Sequence, residues 1–147
     1  MIPAELVGAW SLVSVRARSE DGEERLPFGE RPVGQLLYAA SGHMALVLMS
    51  TGRPRFASGD PMGGTPDELR QAFEGFEAYA GTFEVDVDDG SILHRAQVCR
   101  FPNWEGGTQF RFFELNGDKL ELNTPPMASG GKEWVLTSTW QRKGESH

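Results

Sequence analysis

Short segments rich in valine, leucine and phenylalanine recur along the chain, separated by polar turns, and this pattern predicts β-strands. Asp89-Gly90 and Asn116-Gly117 are strong signals for two-residue hairpin turns. Ala40-Ser41-Gly42 separates another pair of strands, which is apolar on both faces and so cannot be oriented. About eight strands are predicted, at residues 6–18, 33–39, 43–49, 79–88, 91–100, 108–115, 118–124 and 133–142.

One helix is predicted near residues 66–78, between two hairpins. Thr65 is a suitable N-cap, Pro66 suits the first helical position, and Glu68 completes a capping box. The spacing i, i+3, i+4, i+7 of one buried stripe is matched by Leu69, Ala72, Phe73 and Phe76. Strands in next-neighbour order with a single helix predict an all-β fold: a closed antiparallel up-and-down barrel with the helix packed at one mouth.

The two hairpin turns predict which side chains face the interior. With Asp89-Gly90 as the turn, Val85 pairs with His94, and Glu84 lies opposite Arg95 on the solvent face. The interior face of this hairpin then carries Phe83, Val85, Val87, Ile92, His94, Ala96 and Val98.

The same reasoning places a second ionisable residue in the interior. With Asn116-Gly117 as the turn, Arg111 pairs with Leu122 and Phe113 pairs with Leu120. Arg111 therefore lies on an apolar face.

His94 and Arg111 both need partners, because an uncompensated charge in the interior costs several kcal/mol. In one interpretation they line a cavity, where Arg111 holds a carboxylate or enolate oxygen and His94 binds it or moves a proton. In the other, each is satisfied by internal protein groups. Tyr79 follows the face of Phe83 by alternation and would add a hydroxyl donor at the cavity mouth.

Composition excludes several classes of protein. With 147 residues, of which 39% are hydrophobic, the chain suits one domain, residues 1–147. A net charge of -7 argues against nucleic-acid and anionic-membrane partners. The lone Cys99 fits a reducing compartment. The N-terminus lacks a basic region, and the longest apolar run, residues 44–49, is far short of the roughly 18 residues that a membrane span needs. We expect a cytoplasmic protein.

Metal and cofactor chemistry are not expected. The histidines His43, His94 and His147 are not spaced as metal ligands. Cys99 lies at an odd offset from His94, so the two are predicted on opposite faces and not as a nucleophile and base. The glycine-rich segment 59–65 precedes the helix, but neighbouring carboxylates would repel a phosphate. Haem is disfavoured, because it would need an axial histidine with an open side and His94 is the only interior candidate.

Gly8-Ala9-Trp10 resembles the Gly-x-Trp signature of lipocalin-type barrels, and the whole chain resembles the bacterial and fungal lipocalin-like domain family. The most specific match is Phe101-Pro102-Asn103-Trp104 with His94 upstream. The resemblance implies a closed barrel with a cavity for a small apolar or amphipathic molecule, and it places the family's histidine and arginine at His94 and Arg111. Related small barrels act as carriers or as cofactor-free cyclases and isomerases.

We therefore predict a protein that binds a small hydrophobic or amphipathic molecule, with an acidic group as one option, and no protein partner is identified. The predicted ligand-binding residues are Arg111, Tyr79, Phe83, Phe113 and Trp104. The alternative is a cofactor-independent cyclase or isomerase in which His94 acts as general acid and base.

Overall fold

The computed structural model describes residues 2–144, so His147 and the other terminal residues of the predicted domain lie outside it. It contains one α-helix, α1 (Pro66–Glu74), and a 3-10 turn at Pro102–Trp104. The strands are β1 (Gly8–Ser19), β2 (Glu24–Arg25), β3 (Val33–Tyr38), β4 (His43–Met49), β5 (Phe76–Asp86), β6 (Ser91–Cys99), β7 (Gly107–Asn116), β8 (Lys119–Asn123), β9 (Met127–Ser129) and β10 (Lys132–Arg142).

Eight of these strands form the predicted closed antiparallel barrel. Neighbours in sequence pair with each other from β3 to β8, β1 pairs with β3, and β8 pairs with β10. Pairing of β1 with β10 closes the barrel. The short strands β2 and β9 extend β1 and β10 at one end. The predicted fold class is confirmed.

The two ends of the barrel differ. At one end the strands are joined by short turns, and the fully buried Leu6 and Trp10 fill the space between them. Arg142 lies 4.3 Å above the Trp10 ring and donates a hydrogen bond to the carbonyl of Val7 at 3.1 Å. All the longer connections lie at the opposite end. The barrel therefore has a closed end and an open end.

Near its turn, the first long hairpin keeps the predicted faces but not the predicted pairs. His94 pairs with Phe83 and not with Val85, because β5 ends at Asp86 and a longer turn follows. The Asp86 carboxylate accepts a hydrogen bond from the backbone N–H of Asp89 at 3.1 Å, which stabilises that turn. The register differs by two residues, and such a shift leaves each strand side chain on its predicted face.

The second hairpin differs in the same way. Phe113 pairs with Leu122 and not with Leu120, so the predicted pairing of Arg111 with Leu122 is wrong. Gly117, with φ of 61°, takes the first position of the turn, as in a type II′ turn, and not the second position of a type I′ turn. Arg111 still shares the interior face with Phe113.

Two details of the outer surface also differ from the prediction. Arg95 binds Glu84 at 3.3 Å, but diagonally, because the residue directly opposite Glu84 is Leu93. Val87, predicted to face the interior, lies in the turn and is 61% exposed.

A β-bulge next to Gly81 changes the inner face of β6. The pairing shifts between Ala80 and Gly81, so β6 carries one extra residue there. Val98 is turned outward and is 71% exposed, whereas Cys99 pairs with Tyr79 and packs against the core. The predictions that Val98 faces the interior and that Cys99 faces away from it are therefore wrong.

The helix begins as predicted but ends earlier. Thr65 and Glu68 form the capping box, and Gly75 follows the last turn. The residues after Gly75 pair with β4, so strand pairing replaces the predicted last helical turn. No helix residue is buried, and Leu69 and Phe73 are 47% and 46% exposed, so the predicted buried stripe is wrong.

Within residues 2–144, no helix is long and apolar enough to cross a membrane.

Candidate functional site

A cavity of about 250 Å³ lies inside the barrel, towards its open end. Most of its wall is apolar and comes from the inner faces of β1, β4, β8 and β10, as expected for a small-molecule site. The polar residues in the wall are Glu77, Tyr79, His94, Arg111, Thr124 and Ser138. Of the residues predicted from the sequence, the structure thus brings together His94, Arg111, Tyr79 and Trp104.

His94 lies between two tyrosines. Its Nε2 atom is 2.6 Å from the Tyr38 hydroxyl, and its Nδ1 atom is 2.6 Å from the Tyr79 hydroxyl. All three side chains are buried, and His94 has no exposed surface. Strand pairing explains the arrangement, because β3, β4, β5 and β6 are successive neighbours in the barrel. Both nitrogens of His94 are therefore occupied by protein groups.

Burial sets the protonation of this group of residues. Burial, together with the smaller effect of the positive charge of Arg111, lowers the pKa of His94 to about 3. Burial also raises the pKa of Tyr79 to about 12, against the opposing effect of Arg111, and raises the pKa of Tyr38 well above its usual value. At neutral pH all three residues are uncharged.

Arg111 supplies the unpaired charge of the cavity. Within residues 2–144, no carboxylate lies within 4.0 Å of its guanidinium. Among the described residues it makes one hydrogen bond, which Nη1 donates to the carbonyl of Phe110 at 2.8 Å. The remaining donors of this planar fork are available to a carboxylate, phenolate or carbonyl oxygen.

An ion pair lies at the edge of the same cavity. Glu77 accepts a hydrogen bond from Arg100 at 2.9 Å, and the two side chains are only 13% and 20% exposed. Arg100 also lies 3.9 Å from the centre of the Phe73 ring, which holds α1 against the barrel. The carboxylate of Glu77 is thus neutralised by Arg100 and leaves the charge of Arg111 unbalanced.

Aromatic residues form part of the wall and of the layer beneath it. Trp104 meets Tyr79 edge to face, with ring centres 6.2 Å apart. Phe83 packs on Tyr38 at 4.5 Å, and Phe113 packs against the core, but neither of them lines the cavity. A role for Phe83 and Phe113 in ligand binding stays a prediction.

Tyr38, which binds His94, is the residue of this site that the sequence reasoning missed. The hairpin of β3 and β4 is apolar on both faces, and only the structure shows that Leu36 and Tyr38 face inward while Leu37 and Val47 face outward. One signal was available in the composition. The protein has only two tyrosines, and both bind His94.

The cavity reaches the surface at the open end. Pro27 and Phe28, in the connection between β2 and β3, form one side of its mouth, and Met127 in β9 forms the other. An outer depression shares Pro27, Met127 and Leu136 with the cavity and adds Leu26. A molecule entering the barrel would therefore cross an apolar vestibule.

The described residues offer no group of three or more His, Cys, Asp or Glu side chains placed to hold a metal ion. His43 lies on the surface, where its Nδ1 atom is 2.9 Å from the Ser41 hydroxyl.

Fold and cavity together define a class of protein, the small eight-stranded β-barrel with an internal binding cavity. The chain belongs to the lipocalin-like domain family, whose model matches residues 7–143, and this confirms the resemblance seen in the sequence. It is also 31% identical over 106 residues to the 4'-hydroxy-3'-methoxypropiophenone carrier protein of Aspergillus oryzae. That alignment covers 67% of this chain and 96% of the relative.

Proposed function

We propose that the protein is a carrier for a small, mainly apolar molecule that bears an electron-rich oxygen. The observation that carries this proposal is the guanidinium of Arg111, which has no carboxylate partner within residues 2–144 and lies in the wall of an otherwise largely apolar cavity. A positive charge in such surroundings is costly unless a ligand supplies the compensating oxygen. The apolar remainder of the ligand would be bound by burial against the cavity wall.

Cavity size limits the ligand. A volume of about 250 Å³ is below the roughly 300–1,000 Å³ that is usual for drug-sized ligands. A single substituted aromatic ring with a short side chain is the kind of molecule that this space suits. The relative's name, which describes a carrier of a phenolic aryl ketone, supports the same class of ligand and the same role.

The alternative of a cyclase or isomerase with His94 as the base has less support. Both ring nitrogens of His94 bind tyrosine hydroxyls, and its pKa of about 3 makes it a weak base. His94 lines the cavity, but a substrate there would find its two ring nitrogens already bound to Tyr38 and Tyr79. We therefore infer a binding role, and we keep the cytoplasmic location as an inference from the sequence.

The test is a titration of the protein with 4'-hydroxy-3'-methoxypropiophenone and with propylbenzene, followed by tryptophan fluorescence and calorimetry. We expect saturable binding of both at one site, with the ketone tighter. Leu136→Trp narrows the mouth and should weaken both, whereas Val47→Trp on the outer face should change neither. Failure of the wild type to bind either compound would overturn the proposal.

A further inference from the structure

The hydroxyl of Tyr38 has a single partner, and this decides where the proton of His94 lies. Tyr38 is 1% exposed, does not line the cavity, and makes one side-chain hydrogen bond among the described residues, to Nε2 of His94. If Nε2 carried the proton and donated it to Tyr38, the hydroxyl proton of Tyr38 would be buried without an acceptor. Buried donors without acceptors are rare because they are costly. Tyr38 must therefore donate and Nε2 must accept.

The same reasoning determines the direction of the hydrogen bond between His94 and Tyr79. A neutral imidazole carries one N–H, so an accepting Nε2 places the proton on Nδ1. Nδ1 then donates to the oxygen of Tyr79, 2.6 Å away. The Tyr79 hydroxyl proton is not used within this chain of hydrogen bonds. This proton can point into the cavity, because Tyr79 lines the cavity and Tyr38 does not.

We propose that Tyr38 and His94 fix the Tyr79 hydroxyl as a hydrogen-bond donor into the cavity, so that the site selects a ligand oxygen that only accepts, such as a ketone carbonyl or a phenolate. Arg111, in the same wall, is a second donor without acceptor capacity. The two polar groups would thus make the same demand on the ligand. An alcohol oxygen could accept from Tyr79 and Arg111, but neither of these two groups would accept its proton. Tyr38 and His94 are positioning residues, and Tyr79 touches the ligand.

This inference rests on the proposed function, but its first test needs no ligand. In protein labelled with 15N-histidine, two-bond 15N–1H correlations distinguish a proton on Nδ1 from one on Nε2. We expect His94 to be neutral with the proton on Nδ1, and to stay so at pH 5, where burial keeps its pKa low. Signals of His43 and His147 are assigned by His43→Gln and His147→Gln. A proton on Nε2 of His94 would overturn the proposal, whatever the protein binds.

The second test measures which ligands are lost. Tyr79→Phe should weaken binding of 4'-hydroxy-3'-methoxypropiophenone roughly 5- to 10-fold, the effect of one hydrogen bond, and leave binding of propylbenzene nearly unchanged. Equal losses for both compounds would overturn the donor role of Tyr79. If the wild type binds neither compound, the proposed function and the donor role fail together. The 15N result still decides which ring nitrogen of His94 carries the proton.

Tyr38→Phe separates positioning from packing. Phenylalanine keeps the ring that packs on Phe83 but removes the donor to Nε2. We expect the 15N signal of Nε2 to move downfield as this nitrogen loses its hydrogen bond, and affinity for the ketone to fall by less than in Tyr79→Phe. An unchanged Nε2 chemical shift in Tyr38→Phe would show that Tyr38 does not donate to Nε2 and would contradict the proposal.

Discussion

At the scale of single residues, we expect Arg111 to matter for ligand binding and not for the stability of the fold. Its guanidinium faces a mainly apolar cavity. Among the described residues it has no carboxylate partner and donates one hydrogen bond, to a backbone carbonyl. A charge held in this way does little for the folded chain and is costly to desolvate. Residues that serve a ligand are commonly kept at the expense of stability. The same charge also acts on its neighbours, since it lowers the pKa of His94.

We therefore predict that Arg111→Met weakens ligand binding without harming the fold. Loss of a charged hydrogen bond should reduce affinity for the phenolic aryl ketone by roughly 10- to 100-fold. The free energy of unfolding should stay equal or rise by up to about 1 kcal/mol. Calorimetric titration and urea unfolding measure the two quantities.

Arg95→Met is the matched control for this prediction. Arg95 lies on the outer face, where it binds Glu84, so its removal should change neither affinity nor stability appreciably. Arg111→Met could instead lower the free energy of unfolding by about 2 kcal/mol or more, a loss of the order expected when an internal ion pair is broken. In that case Arg111 would have a structural role.

Sequence reasoning found His94 and Arg111 because each stood on a strand whose turn could be located. The inward direction of both survives a register error of two residues, since side chains alternate with a period of two. Tyr38 could not be placed, because both faces of its hairpin are apolar. Periodicity carries no information about direction when the two faces are alike.

At the scale of secondary-structure elements, the bulge between β5 and β6 positions Tyr79. The pairing of the two strands shifts next to Gly81, and the inner face of β6 changes there, so that Tyr79 and Cys99 become partners. Gly81 permits the close approach. A Cβ atom at this position would lie 1.8 Å from the carbonyl oxygen of Arg95.

We expect Gly81→Ala to be among the most damaging single substitutions in the barrel. The strands must separate to accept the methyl group, so the free energy of unfolding should fall by about 3 kcal/mol. Any folded fraction should also show weaker ketone binding, because Tyr79 lies two residues away. Urea unfolding and calorimetric titration measure both effects.

Gly107→Ala at the start of β7 provides the comparison. The added Cβ atom would meet its nearest neighbour, the carbonyl oxygen of Trp104, at an ordinary distance of 3.4 Å. Its effect should be below about 1 kcal/mol, the usual cost of a tolerated change. Similar losses in Gly81→Ala and Gly107→Ala would argue against a special role for the bulge.

Most elements could be predicted from the sequence, and two of the errors, the helix end and the bulge, share one cause. Strands and helix start were located by turn residues and by the capping box of Thr65 and Glu68. The helix end was missed because Phe76 continues the helical spacing but pairs with Met49 across the sheet. A tertiary partner overrode a local pattern, and the bulge at Gly81 likewise depends on the neighbouring strand.

At the scale of the whole molecule, the barrel has a rigid end and an accessible end. Trp10 and Leu6 are fully buried at the closed end, and Arg142 covers Trp10. The open end has the long connections and the cavity mouth at Pro27 and Met127. Between the two ends, His94 and Tyr79 form the floor of the cavity, and Tyr38 lies beneath them. A ligand therefore reaches a floor of buried, uncharged polar groups.

That floor links the stability of the whole molecule to pH through His94. Its pKa is about 3 in the folded protein and about 6.5 in an unfolded chain, so the unfolded state binds more protons between these values. The stabilisation that comes from holding His94 neutral in the folded protein is fully present above pH 6.5 and is lost as the pH falls towards 3. We predict that the free energy of unfolding decreases by about 1.4 kcal/mol per pH unit below about pH 6.

Urea unfolding at pH 7, 6, 5 and 4.5 measures this slope. The exposed carboxylates Asp21 and Glu23 also have lowered pKa values, Asp21 through hydrogen bonds from Ser19 and then Lys132, and Glu23 through hydrogen bonds from Lys132 and then Arg25. They act mainly below that window, because within it they are largely ionised in both the folded and the unfolded state. His94→Gln should flatten the slope even though it lowers stability at pH 7, and His43→Gln on the surface should leave the slope intact. The same slope in His94→Gln and in the wild type would mean that His94 is not held neutral by the fold, and the proton order inferred for Tyr38, His94 and Tyr79 would lose its physical basis.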